Sequence, residues 1–352
     1  LRRGTTWGAA DFLFGMFITF FCQTKIYGWT YLAFGHRNGG YRSAPMATNR
    51  DSFAMTKPLA GMYAALLTAL TDDGDFSPER QRDLDAYVLR QGLTGLYVGG
   101  SSGESGLLES AALLEQQAVV AEDAKGSGAT LIAHVGLPSL TASIALARQA
   151  KTHGYHALSA LPPHSYPFSD AEILGYYKAL AAATDLPLIV YEVPVRTGRP
   201  LPIELLVQLL DLPNVAGIKF TSTDLFKLTR LRLLRPDSVY YFGFDEVWLA
   251  GGILGADGGI GTTYSLIGRL YVALNEALRE GDMARAQELQ QVSAEFVVAL
   301  LDVGVIPGMK AGLRVIGVDC GPARLPMASP VNDADARMAK LLADPRFKTW
   351  LA

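Results

Sequence analysis

Cysteine is scarce in this sequence. The 352 residues include only Cys22 and Cys320, which lie far apart along the chain. Two distant cysteines make neither the disulfide framework of a small secreted domain nor a cysteine-based metal motif. The expected compartment is therefore a reducing cytoplasm.

A bias toward one sign of charge is also absent. The chain has 31 Lys and Arg against 34 Asp and Glu, a net charge of −3, so we expect no nucleic-acid partner.

Long apolar runs are missing as well. The run Asp11–Cys22 covers only about twelve residues, whereas a membrane-spanning helix needs roughly 20. We expect no membrane association for the main part of the chain.

Residues 1–58 differ in character from the rest. Arg2 and Arg3 precede the apolar run, as in a secretory signal, but no clear small-residue cleavage site follows. Met46 and Met55 are plausible translation starts just before the patterned part begins. We interpret the stretch as a leader outside the working core. A signal or membrane anchor and a docked structural arm are the alternatives.

From Gly61 onward, short apolar runs alternate with amphipathic stretches. The runs are continuous rather than alternating, as expected for strands buried on both faces. They are Gly61–Leu67, Gly95–Gly99, Thr130–Val135, Ala157–Leu161, Leu186–Tyr191, Val215–Lys219, Val239–Phe242 and Gly258–Gly261. Eight such units predict a (β/α)8 TIM barrel over residues 59–280. A doubly wound sheet is second, because no Gly-rich phosphate loop follows the first run.

Helix signals support this pattern and extend beyond it. The predicted helix caps are Ser77, Ser139, Ser169 and either Thr223 or Asp224. After the eighth run, helical spacing continues over Met283–Leu301, Ile306–Ile316 and Asp335–Leu342. Residues 281–352 are therefore predicted to be a C-terminal helical region packed on the barrel.

Lys219 ends an apolar strand, Asn214–Lys219. Burial of an ammonium is costly and lowers its pKa, and an uncharged amine is a nucleophile that forms Schiff bases with ketones. The alternative is a lysine that extends to the barrel rim. Tyr191 ends the preceding strand and is expected beside Lys219, where its phenol can transfer protons; otherwise it is an aromatic rim residue.

The loop Gly99–Glu104 follows the second strand. Its glycines and the hydroxyls of Ser101 and Ser102 can hold a carboxylate, but also a phosphate, or the loop is only a tight turn. Together with Lys219 and Tyr191, it indicates a class I aldolase or lyase acting on a 2-oxo acid. We expect no metal and no organic cofactor. His134, within an apolar strand, is interpreted as a hydrogen-bonded core residue rather than a ligand.

Three motifs resemble the N-acetylneuraminate lyase and dihydrodipicolinate synthase superfamily. They are Gly99–Ser105, Tyr191–Pro194 and Gly217–Ser222. The resemblance covers the chain from about Gly61 to the late 320s. It implies that Lys219 forms the Schiff base, that Tyr191 transfers the proton and that Ser101 and Ser102 bind the substrate carboxylate. It also implies a homotetramer.

The lyase branch is the more similar. The segment Gly243-Phe244-Asp245-Glu246 matches the part of that branch that contacts the hydroxylated tail of a sugar acid. By this resemblance Gly243, Asp245 and Glu246 bind the tail, and Thr221 and Thr262 also face it. The implied reaction is reversible cleavage of a sialic acid to pyruvate and an N-acylated hexosamine.

Three departures make the resemblance incomplete. Ser165 stands where the family usually has a tyrosine that completes a proton relay, and either Tyr166 or water is expected to serve instead. Glu192 replaces the usual asparagine and is expected to add a carboxylate near the site. Arg196 resembles the synthase branch, in which an arginine meets a second substrate.

These departures leave other functions open. Within the same chemistry, they are a lyase for 2-oxo-3-deoxy sugar acids and a dihydrodipicolinate synthase. Outside catalysis, a barrel that binds a 2-oxo acid as a regulator or scaffold is the alternative.

Overall fold

The computed structural model describes residues 57–352, where eight parallel strands close into a barrel in chain order. The strands are β1 Gly61–Ala65, β2 Gly95–Val98, β3 Thr130–His134, β4 Ala157–Ala160, β5 Leu188–Glu192, β6 Val215–Phe220, β7 Val239–Phe242 and β8 Gly258–Gly261. The predicted TIM barrel is confirmed. The interpretations of the leader fall on residues 1–58, almost all of which lie outside the described residues.

Helices follow the strands and form the outer layer. They are α1 Pro78–Leu89, α2 Ser110–Asp123, α3 Leu140–Thr152, α4 Asp170–Ala181, α5 Pro194–Thr197, α6 Ile203–Leu210, α7 Leu225–Leu234, α8 Trp248–Ile253 and α9 Tyr264–Glu280. Side-chain caps begin α1, α3, α4 and α7, at Ser77, Ser139, Ser169 and Asp224. Asp224 rather than Thr223 caps α7, because its carboxylate accepts the Lys227 N–H at 2.9 Å.

Further helices follow the barrel, as predicted. They are α10 Met283–Val303, α11 Val305–Val315, α12 Ala334–Ala343 and α13 Pro345–Lys348. Gly281, with φ of 80°, ends α9, and we propose that the boundary of the C-terminal region lies there. Within the described part of the chain no single helix is long and apolar enough to cross a membrane. The pair α10 and α11, bent by 104°, meets that criterion together by length and composition.

The lower end of the barrel is closed by the segment just before β1. The phenols of Tyr63 and Tyr241 both donate to the carbonyl of Leu59, at 2.8 and 2.5 Å. Lys57 pairs with Asp257 at 3.2 Å. The carboxyl ends of the strands therefore form the mouth where loops can build a site.

Candidate active site

Lys219 projects into the barrel from β6. Its side chain is buried, with 4 % of the residue exposed, and Nζ lies 4.2 Å from the ring centre of Tyr97 and 4.1 Å from that of Tyr191. Burial lowers the pKa of Lys219. Tyr191 and Asp245 oppose that shift, whereas the charge of Arg196 adds to it. Lys219 is thus an amine with a reduced tendency to hold its proton, the property that Schiff-base formation requires.

Tyr191 lies directly across from Lys219 in the register of β5 and β6, so the predicted adjacency is confirmed. The rings of Tyr97 and His134 meet that of Tyr191 edge to face, at 6.4 and 6.1 Å between centres. Three aromatic side chains therefore form a floor around the amine. The rings of Tyr97 and His134 are tilted by 46° to each other, with centres 5.9 Å apart.

Tyr97 is the residue of this floor that the sequence analysis missed. Its side chain is buried, and its phenol donates to the Ser159 hydroxyl at 2.9 Å. Leu96 and Val98 face the helical layer, so the period-2 pattern of a strand directs Tyr97 into the barrel. That alternation was the signal that could have identified it.

His134 is a hydrogen-bonded core residue, as predicted. Nδ1 lies 3.0 Å from the carbonyl of Gly99, and Nε2 accepts the Leu161 N–H at 3.4 Å. Burial, aided by the Lys219 charge, lowers the pKa of His134 to about 3. The neutral imidazole therefore places no second positive charge beside the lysine.

The loop after β2 carries Ser101 and Ser102 to the mouth. The hydroxyl of Ser102 lies 2.6 Å from that of Thr262 at the end of β8, which joins the loops on either side of β1. Glu104 stabilises the loop from behind, with a left-handed φ of 60°. Its carboxylate lies 2.7 Å from Nζ of Lys310 and accepts the Arg324 N–H at 2.5 Å. The C-terminal helices thus hold the predicted carboxylate-binding loop in place.

Thr221 and Gly243 lie together on the opposite side of the mouth. A Cβ at Gly243 would stand 1.9 Å from Oγ1 of Thr221, so only glycine fits there. Oγ1 of Thr221 is buried and has no hydrogen-bond partner among residues 57–352. An unpaired buried hydroxyl at the site is available to a ligand.

Asp245 begins a 3₁₀ turn, Asp245–Val247, at the end of β7. Its carboxyl contacts the N–H and hydroxyl of Thr263 at 2.9 and 2.7 Å. Burial raises the pKa of Asp245 to about 6, a rise that the bonds from Thr263 limit and the adjacent Glu246 reinforces. Glu246 is half-buried beside it. The structure therefore brings the predicted sugar-binding residues to one side of Lys219.

The expectation that Glu192 adds a carboxylate near the site is wrong. Glu192 follows the inward-facing Tyr191 and so points to the helical layer. There its carboxylate accepts the Leu201 N–H at 3.0 Å and lies 3.8 Å from Nζ of Lys227. Burial raises the pKa of Glu192 to about 7. Its role in the described arrangement is to tie β5 to the segment before α6.

Arg196, Ser165 and Ser101 line a cavity of about 680 Å³ beside the mouth. Tyr166 belongs to the same loop as Ser165 but is 74 % exposed, with its ring 6.0 Å from that of Phe168. In this arrangement Ser165 and Arg196 face the approach to the site, whereas Tyr166 lies on the outer surface. Substitution of Tyr166 for the missing relay tyrosine stays a prediction that requires the loop to move.

Residues 58–344 match the Dihydrodipicolinate synthetase family. The chain belongs to this family. The match spans the barrel together with most of the C-terminal helices, so the family assignment covers every element that contributes to the site.

Two curated relatives in the family are similar over most of their length. The N-acetylneuraminate lyase of Rhizobium meliloti (strain 1021) is 43% identical over 281 residues, which is 79% of this chain and 92% of the relative. The N-acetylneuraminate lyase of Salmonella typhimurium is 42% identical over 292 residues, 82% of this chain and 97% of the relative.

Solved structures of proteins similar to this chain share the fold. CdNal from Clostridium difficile in complex with mannosamine superposes with a TM-score of 0.79 at 28% identity, covering 83% of this chain and 99% of the other. N-acetylneuraminate lyase from Fusobacterium nucleatum complexed with pyruvate gives a TM-score of 0.76 at 29% identity, covering 83% and 97%. The barrel and its C-terminal helices are thus common to proteins crystallised with a 2-oxo acid or an amino sugar.

Proposed function

We propose that this chain is a class I, Schiff-base lyase that splits N-acetylneuraminate reversibly into pyruvate and N-acetylmannosamine. One observation carries the proposal. The buried amine of Lys219 lies in the mouth of the barrel, which also carries a loop with two hydroxyls and a cluster of hydroxyl and carboxyl groups after β6, β7 and β8. The names of the relatives point to the same substrate.

The chemistry follows from the position of the amine. Uncharged Lys219 attacks C2 of the oxo acid, and loss of water from the carbinolamine leaves an iminium. The C3–C4 bond then breaks and its electron pair moves into the iminium, forming an enamine. The phenol of Tyr191, on the strand beside Lys219, gives its proton to the carbinolamine hydroxyl that departs as water, and the resulting phenolate accepts the proton of the C4 hydroxyl as the aldehyde leaves. Protonation of the enamine at C3 and hydrolysis release pyruvate and restore Lys219.

Binding of the two ends of the substrate divides between the two sides of the mouth. On one side, Ser101 and Ser102 hold the carboxylate. On the other, the sugar-acid tail meets Thr221, Gly243, Asp245 and Glu246. Thr262, in contact with Ser102, faces the tail from between the two groups. Carboxylate oxygens accept hydrogen bonds only, so Glu246 suits the hydroxyl donors of a polyol.

Borohydride trapping separates the chemistry from the choice of substrate. With pyruvate and borohydride, the wild-type protein should gain the mass of a reduced pyruvate adduct on the peptide that contains Lys219. Pyruvate on another peptide, or on none, contradicts the mechanism. Lys227→Ala is the matched control, since it removes a lysine of the helical layer and should leave the adduct in place.

A substrate panel tests the sugar. Pyruvate release from N-acetylneuraminate should exceed release from 2-oxo-3-deoxy sugar acids that lack the N-acyl group. Glu246→Gln should raise KM for N-acetylneuraminate while pyruvate trapping on Lys219 is unchanged. Faster release from a 2-oxo-3-deoxy acid would assign the enzyme to that substrate. Trapping without any turnover would favour a regulatory barrel.

A synthase function is the second candidate because Arg196 lines the same cavity as Ser101. An arginine there can form a bidentate pair with the carboxylate of an incoming aldehyde. Consumption of pyruvate in the presence of an aldehyde that carries a carboxylate, lost in Arg196→Ala, would favour it. We expect instead that Arg196→Ala mainly affects access to the site.

We further propose a homotetramer located in the cytoplasm. Large apolar side chains are exposed on two helices: Phe226 and Leu233 on α7, and Val298 and Leu301 on α10. Such surfaces suit contacts between copies. Light scattering of the full chain should give four times the mass of one chain, and Leu233→Asp should reduce it if α7 forms a contact. The low cysteine content supports the choice of compartment.

A further inference from the structure

A closed chain of hydrogen bonds links Asp245 to the C-terminal helix α10. The Asp245 carboxyl contacts the Thr263 hydroxyl at 2.7 Å, which contacts the Tyr271 phenol at 2.6 Å. The phenol lies 2.7 Å from the Ser293 hydroxyl, and Ser293 lies 2.9 Å from the carbonyl oxygen of Asp245 itself. All four side chains are buried, so every contact in this chain requires a proton from one of its own groups.

The number of available protons decides the direction in which the hydrogen bonds of this chain run. Four oxygen–oxygen contacts need four protons, but the three hydroxyls supply one each. With an ionised Asp245, one contact would bring two oxygens together with no proton between them. With a protonated Asp245, all four contacts are satisfied in one direction: Asp245 donates to Thr263, Thr263 to Tyr271, Tyr271 to Ser293, and Ser293 to the Asp245 carbonyl.

We propose that Asp245 titrates together with this chain, and that Tyr271 and Ser293 are positioning residues that favour its protonated form. When Asp245 ionises, Thr263 turns to donate to it and the direction of the chain reverses. The inference rests on the proposed function only in assigning the sugar tail to Asp245. α10 would thus act on the site from behind the barrel.

The surroundings of Asp245 agree with a proton uptake near neutrality. Burial raises the pKa of Asp245 to about 6, and the Thr263 N–H, which donates to the same carboxyl oxygen at 2.9 Å, limits that rise. Glu246 from the same turn disfavours a second negative charge, and Lys219 from β6 opposes that effect. On α9, Tyr264 and Tyr271 face it as neutral phenols whose pKa values burial keeps high. From α10, uncharged Gln290 and Ser293 donate to its backbone carbonyl at 3.1 and 2.9 Å.

The direction of a pKa change distinguishes the two arrangements. If the chain starts from protonated Asp245, Tyr271→Phe removes the acceptor of Thr263. Thr263 then donates to the carboxylate, favours the ionised form, and lowers the pKa of Asp245. If Asp245 is instead the acceptor at the end of a chain from Tyr271, the same change weakens the donor and raises the pKa. Ser293→Ala should act in the same direction as Tyr271→Phe.

Infrared titration of the free protein measures this without any substrate. The carbonyl band of the protonated Asp245 carboxyl, identified by its loss in Asp245→Asn, should disappear as the pH rises through about 6 in the wild type. Its midpoint should fall by about one pH unit in Tyr271→Phe and in Ser293→Ala. If the pH midpoint rises or is unchanged in both variants, the proposal is overturned. Absence of the carbonyl band from the wild type at pH 5 also overturns it.

Tyr264→Phe is the matched control. Tyr264 stacks on Tyr271 at 3.9 Å between ring centres, and its phenol has no hydrogen-bond partner within residues 57–352. The Tyr264→Phe substitution removes a buried phenol near Asp245 without breaking the chain of hydrogen bonds, so the pH midpoint of the infrared band should not move. As a second readout, the pH dependence of KM for the sugar acid should shift with the infrared midpoint while kcat holds. If Asp245 does not bind the sugar tail, the effect on KM would be absent but the infrared shift would remain.

Discussion

Two buried lysines in this barrel show opposite solutions to the same physical problem. Lys219 is 4 % exposed and Lys310 is 1 % exposed. Lys310 lies 2.7 Å from the Glu104 carboxylate and 2.7 Å from the Pro322 carbonyl. Lys219 faces two aromatic rings, and among residues 57–352 it forms no ion pair.

The difference is the physical reason for proposing Lys219 as the reactive lysine and Lys310 as a structural one. A carboxylate in contact favours the charged form of an amine, whereas burial among rings without a carboxylate disfavours it. Burial lowers the pKa of Lys219. Sequence position alone does not separate the two, since both follow apolar segments. What separates them is the partner that the fold supplies.

The largest expected effect is on Lys219. Lys219→Ala should lower kcat by about 10⁶-fold, the order found when a covalent nucleophile is removed, and should abolish pyruvate trapping. Stability should not fall, because an amine without an ion partner is lost from a buried position. Retention of adduct formation in this variant, measured by mass spectrometry, would contradict the assignment.

Tyr191→Phe separates the ring from the phenol. The ring keeps its contact with Lys219, so borohydride should still trap pyruvate on that residue, though more slowly. Loss of the proton-transfer group should lower kcat by roughly 10²- to 10⁴-fold. A kcat within a few-fold of the wild type would show that another group moves the proton.

Lys310→Met tests the structural lysine. It leaves the Glu104 carboxylate buried without its partner, which should lower the free energy of unfolding by about 3–5 kcal/mol. The double variant Glu104→Gln/Lys310→Met should recover much of the loss, measured by denaturant unfolding. Because Glu104 holds the loop of Ser101 and Ser102, KM for pyruvate should also rise in the single variant. An unchanged stability would contradict the comparison.

Glu192 is a third buried ionisable residue in this comparison, and its pairing is weaker: Nζ of Lys227 lies 3.8 Å from its carboxylate. Burial raises the pKa of Glu192 from 4.5 to about 7. The native state therefore binds this proton more tightly than the unfolded chain between those pH values. Stability should fall as pH rises through that window, by at most about 3 kcal/mol. Glu192→Gln should flatten this part of the pH profile, measured by thermal unfolding; an unchanged slope would assign it to another group.

Local patterns were sufficient to predict the barrel and the adjacency of Tyr191 and Lys219. Continuous apolar runs gave eight strands within a few residues of their observed bounds, because strands buried on both faces have no polar side. The adjacency of Tyr191 and Lys219 followed from the order of strands in a closed barrel. Glu192 was misplaced although the alternation of side chains along a strand already put it on the face opposite Tyr191.

The sequence by itself determined the strand–helix repeat, the caps and the residue types at the strand ends, since these depend on neighbours along the chain. Only the tertiary structure decided which buried lysine meets a carboxylate. It also placed Tyr97 beneath Lys219 and Ser293 behind Asp245. Those contacts join residues far apart in sequence, such as Glu104 and Lys310, so their energies depend on how the closed barrel and its C-terminal helices pack.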